Sequence, residues 1–173
     1  MEVSQLFAGD LIRYDAFKSN WPRKAMNTVY QEIESSLDNR KDELIDEGKQ
    51  PSDDPVEVLN DIITPLFAAA RQGAKLGGWS AEISHAPNVP NVEHGSEPTV
   101  EIEFWHDDKE RASAASVMAY PRSNESVDAG LVITYSTEGS NAVKEMQLLP
   151  LDRYNPPGAC SLMKEGIKKA LDI

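Results

Sequence analysis

The stretch TPLFAAARQGAKLGGWSAEIS, Thr64 to Ser84, holds the decision about fold class, because its apolar period changes partway along. In the first half Leu66, Phe67 and Ala70 recur at spacings of three and four, which lines one face of a helix. After Gly77-Gly78 the period drops to two: Trp79, Ala81 and Ile83 alternate with Ser80, Glu82 and Ser84, as in a half-buried strand. A helical part therefore ends here and a sheet part begins. Gly73, Gly77 and Gly78 precede a strand instead of joining a strand to a helix. They read as helix termination, not as a phosphate cradle.

Upstream the helical period continues to the start of the chain. Val58, Leu59, Ile62 and Ile63 belong to the same helix, which opens near Ser52 to Asp54 with Pro55 close to its first position. Pro65 is expected to kink it, since proline removes a backbone donor and crowds the preceding turn. Met26, Val29, Tyr30, Ile33, Leu37, Leu44 and Ile45 form a second stripe, ended by Gly48 and Pro51. Val3, Leu6, Phe7, Leu11, Tyr14, Phe17 and Trp21 form another, with a break at Pro22.

Downstream, strands are expected at Thr99 to Trp105, Ser113 to Tyr120, Leu131 to Ser136 and Val143 to Leu149, with Ala86 to Pro98 as a proline-rich loop. The short polar links favour an antiparallel meander over crossovers. A terminal helix fits Cys160 to Leu171, within residues 158–172. The expectation is one α+β domain over residues 1–173. Its N-terminal helices (1–76) pack on a mainly antiparallel sheet of four to five strands (79–149), with a short C-terminal helix.

Composition narrows the function. Acids outnumber bases 29 to 17, giving a net charge of −12. A surface of that sign lacks the clustered Lys and Arg that release counterions from phosphates, so no direct nucleic-acid binding is expected. Anionic membrane surfaces are disfavoured for the same reason. No run approaches the roughly 18 apolar residues of a membrane span, and MEVSQLFAGDLIRYD lacks the features of a signal peptide. The single cysteine, Cys160, offers no internal disulfide, so a cytoplasmic setting is expected.

Motifs that carry chemistry are missing. His85, His94 and His106, with Glu82, Glu93, Asp107 and Asp108 nearby, have no recognised metal-binding spacing and read as surface histidines. Cys160 near a helix start could have a lowered thiol pKa, but a small apolar role fits it better. No serine lies in a G-x-S-x-G elbow. The expectation is a non-catalytic protein with no cofactor and no bound metal.

The charge distribution says more. Between Glu32 and Asp61 eleven acids face only Arg40, Lys41 and Lys49, a net −8 in 30 residues. Such a surface suits a protein partner with a basic patch, through Asp38, Asp42, Glu43, Asp46, Glu47, Asp53 and Asp54. On the sheet, Glu101, Glu103 and Trp105 alternate with Val100, Ile102 and Phe104, and they are candidates for the same interface. The protein is thus read as one that binds or inhibits another protein, with a homo-oligomer left open. Two alternatives stand beside that reading. One is a small enzyme or ligand-binding fold with a pocket between sheet and helices, using His106, Glu101 or Glu103. The other is a DNA mimic that inhibits a nucleic-acid-binding protein.

Overall fold

The computed structural model describes residues 23–49, 53–86, 98–106, 115–122, 130–136, 145–171 and 173. Among them, helix α1 (Arg23–Asp46) is followed by α2 (Pro55–Val58), a π-helical turn (Leu59–Ile63) and α3 (Thr64–Leu76). Five strands come next: β1 (Trp79–Ala86), β2 (Thr99–His106), β3 (Ala115–Arg122), β4 (Gly130–Ser136) and β5 (Glu145–Leu149). A 3-10 turn (Leu151–Arg153) leads into α4 (Pro156–Leu171). The expected α+β class is therefore found, with the terminal helix in place. The expected helix over Val3 to Trp21 lies outside the described residues.

The strands form one antiparallel sheet in the order β1-β2-β3-β4-β5, so every neighbour in space is a neighbour in sequence. Val100, Ile102 and Phe104 of β2, Ala115, Val117 and Ala119 of β3, and Leu131 and Ile133 of β4 share one core with the helices. Into it α1 sends Met26, Val29, Tyr30, Ile33, Leu37 and Leu44, and α4 sends Leu162, Met163, Ile167, Ala170 and Leu171. Ile45, expected in the α1 stripe, is instead 47% exposed; Leu44, two turns after Leu37, takes the core position. On the sheet face away from the helices, Thr99, Tyr120, Val132 and Thr134 are also buried.

Three local differences from the sequence expectation have clear causes. The irregularity expected at Pro65 lies in the π turn just before it, and Thr64 Oγ1 donates to the Leu59 carbonyl at 2.8 Å there. Strand β3 runs on through Pro121 and Arg122, which had read as a turn. Pro121 is tolerated because β2 pairs with β3 only as far as Ala119; beyond it β3 has β4 alone as neighbour, and the missing donor faces away from any ladder. Helix α4 starts at Pro156, earlier than Cys160, since prolines suit a first turn. Asn155 caps it: its Oδ1 accepts the Gly158 N–H at 2.8 Å.

Gly73 does not terminate a helix. A Cβ there would lie 2.6 Å from Ile33 Cα and 2.7 Å from the Glu32 carbonyl oxygen, so its bare backbone lets α3 and α1 touch. A Cβ on Gly77, one turn on, would lie 2.8 Å from Val29 Cα, so the two helices run antiparallel in close contact. Termination belongs to Gly77 and Gly78, the latter at φ +83°.

Candidate binding surface

The acidic run falls on the C-terminal half of α1 and the turn that leads to α2. Asp42, Glu43, Asp46 and Glu47 are exposed, and so are Asp53, Asp54, Glu57 and Asp61 beyond the turn. The stripe facing the core fixes this arrangement: with Leu37 and Leu44 inward, the charged residues of the same turns are left toward solvent.

Part of this charge is compensated internally. Arg40 lies 2.9 Å from Glu47 and 3.6 Å from Glu43, and Lys41 lies 3.6 Å from Asp38 and 3.7 Å from Asp42. Lys164 of α4 forms an ion pair with Asp38, joining α4 to α1. Burial pulls the Lys164 ammonium pKa down, but the hydrogen bond and charge of Asp38 outweigh it and raise the group above its ordinary value. Asp54 is committed to structure, since its side chain caps α2 by accepting the Val56 N–H at 3.0 Å. Asp46 and Asp53 have no ion-pair partner among the described residues.

The sheet residues fall elsewhere. Glu101 and Glu103 alternate with the buried Val100, Ile102 and Phe104, so they stand on the face away from the helical layer, on an interior strand. Glu103 sits directly across from Glu82 of β1 and Ser116 of β3. Trp105 is partly buried and packs against the core. The helical acids and the β2 acids are therefore not brought together; the sheet separates them.

The two described histidines, His85 and His106, do not converge either. In the β1–β2 register His106 pairs with Trp79 and His85 with Val100, which puts them at opposite ends of the strand pair, roughly 20 Å apart at about 3.4 Å per residue. His106 packs edge-on against Trp79, with ring centroids 5.5 Å apart. His94 lies outside the described residues. Among the described residues no three or more potential ligands gather to hold a metal ion. Cys160 is buried, and that burial pushes its thiol pKa up, away from a reactive thiolate.

One feature has no signal in the apolar period: a depression of about 470 Å³ between residues 36–43 of α1 and residues 65–76 of α3. A second, of about 510 Å³, adjoins it and shares Ala68, Gln72 and Leu76. Both open on the outside of the helical layer. His106, Glu101 and Glu103 line neither. No helix among the described residues is long and apolar enough to cross a membrane. No family model, no curated protein and no solved structure matches the chain.

Proposed function

We propose that the protein is a non-catalytic, cytoplasmic interaction protein that binds, and thereby restrains, a partner protein with a basic surface. The surface we assign is the acidic end of α1 with the turn to α2, centred on Asp42, Glu43, Asp46, Glu47 and Asp53.

One observation carries this reading. A helix is negative at its C-terminal end, so stability favours Lys or Arg in the last turn. Helix α4 follows that rule with Lys168 and Lys169 in its last turn. Helix α1, 24 residues long, has no basic residue in its last turn and ends on Glu43, Asp46 and neighbouring acids. The same chain thus obeys the rule at one helix and breaks it at another. Ion pairs of Arg40 with Glu43 and Glu47 offset part of the cost, but Asp46 has no ion-pair partner among the described residues, and a negative potential held for a partner accounts for it.

The test compares wild type with the variant Asp42→Lys, Glu43→Lys, Asp46→Lys, Glu47→Lys as affinity baits in host extract, followed by kinetics on the purified partner. A stoichiometric partner should be retained by wild type and lost by the variant. Its on-rate should fall as salt rises from about 0.05 to 0.5 M, through screening. A partner bound equally by the folded variant, or at a salt-independent rate, removes this surface from the interface.

A further inference from the structure

Not every cation of the helical layer is paired with a carboxylate. Arg40, Lys41, Lys164 and Lys169 each lie within 4 Å of a carboxylate oxygen. Arg71 and Lys75, one turn apart on α3, have no ion-pair partner among the described residues, although the chain holds 29 acids for 17 bases. Both line the groove on the outside of α3.

The rest of that groove is low and of mixed polarity: Gln72 lies beside the two cations on α3, and Ser36, Asn39, Arg40 and Glu43 of α1 form the facing wall. Pro65, Ala68 and Ala69 contribute small side chains, and Leu76 stands at its end with 66% of its surface exposed. A floor of small side chains lets another backbone come close and leaves the bulky contacts to be supplied by the incoming chain. From Pro65 to Leu76 the wall extends about 17 Å at roughly 1.5 Å per residue, enough for three turns of a docked helix.

From this juxtaposition of the small side chains of Pro65, Ala68 and Ala69, the exposed Leu76, and two cations at helical spacing with no ion-pair partner among the described residues, we infer that the α1–α3 groove docks an amphipathic helix of a partner protein. That helix carries an aliphatic stripe flanked by Asp or Glu. Its apolar side chains cover Ala68 and Leu76, and its carboxylates meet Arg71 and Lys75. The net charge of −12 opposes such a segment at long range. At physiological ionic strength that field is screened beyond about 8 Å, so the contact charges decide. This occupant is opposite in sign to the one assigned to the end of α1; the two surfaces share Glu43, which lines the α1 wall of the groove and lies 3.6 Å from Arg40.

A displayed library of random amphipathic helical peptides tests the inference, with the wild-type chain, R71E/K75E and D42K/D46K as baits, each first checked for folding by circular dichroism. Wild type should enrich peptides with Asp or Glu beside Leu, Ile or Phe. A synthetic copy of the best peptide should lose tenfold or more in affinity for R71E/K75E and bind D42K/D46K as it binds wild type. Replacing that peptide's acids by Lys should restore binding to R71E/K75E. No enrichment, enrichment of basic peptides, or equal affinity for R71E/K75E would overturn the inference. So would loss on D42K/D46K, which moves the contact to the end of α1. Concentration-dependent self-association abolished by R71E/K75E in sedimentation would overturn it too, by making a second copy of the chain the occupant.

Discussion

The phenol oxygen of Tyr154 accepts the backbone N–H of Leu131 at 2.7 Å, in a site buried from solvent. This one bond joins the segment before α4 to the first residues of β4. Gly130, at φ +140°, makes room for it, since a Cβ there would stand 3.0 Å from the Tyr154 oxygen. Tyr154→Phe keeps the ring and strands the amide without an acceptor. The expected loss is about 1–3 kcal/mol, the desolvation cost of an unpaired buried donor, read as a lower urea midpoint at unchanged m.

Alkaline pH should weaken the fold. Burial raises the Tyr30 phenol well above its ordinary value near 10, and the neighbouring Glu34 charge and hydrogen bond raise it further. Burial raises Tyr154 too, opposed by the Leu131 N–H, which favours the phenolate. A raised pKa means that the folded state keeps a proton that the unfolded chain releases. The stability tied to these tyrosines is therefore complete below pH 10 and falls as pH rises past it. Stability measured from pH 7 to 11.5 should decline above about pH 10, and Tyr30→Phe should flatten the decline. An unchanged slope in that variant would exclude Tyr30 as a source.

Two buried glycines should respond to alanine in opposite directions. At Gly73 the new methyl would meet backbone of α1 at 2.6 Å, and only separation of the helices relieves it, so a loss of about 1–3 kcal/mol or more is expected. At Gly166 in α4 the nearest atoms, on Ile133 and Val117, stand 3.9 Å away, an ordinary contact. Gly166→Ala should therefore gain up to about 1 kcal/mol from helix propensity. Thermal unfolding of the two variants beside wild type decides both signs.

Asp46 lies in the last turn of α1, at the negative end of the helix, with no ion-pair partner among the described residues. Asp46→Lys should raise stability by a few tenths of a kcal/mol, and the gain should shrink in 0.5 M salt. If the variant is less stable than wild type, the unfavourable end charge proposed for α1 is not there.

Much of the architecture was legible from apolar spacing alone. The stripe from Val58 to Ala70, the alternation at Val100, Ile102 and Phe104, and the terminal stripe from Leu162 to Leu171 all mark buried positions. What escaped depends on partners distant in sequence. Pro121 reads as a turn until β2 is seen to stop pairing at Ala119. Gly73 reads as an end of helix until Ile33 is found beneath it. At the candidate site, sequence located the acids of α1. It could not show that the sheet divides them from Glu101 and Glu103, nor that Lys164 reaches Asp38 from α4. The α1–α3 groove was hidden altogether, because Ala68, Arg71 and Lys75 look like an ordinary solvated helix face.

The strand order also sets how the chain reaches this structure. Each of the four pairings joins strands adjacent in sequence, so the sheet can grow by successive hairpins with short loop closures. The ties that lie far apart in sequence are of another kind: Asp38 with Lys164, and the burial of Tyr30 and Met163 in one core. The sheet is therefore expected to assemble early and the α1–α4 contact late. Changes at Lys164 should then speed unfolding while leaving the rate of folding nearly unaltered.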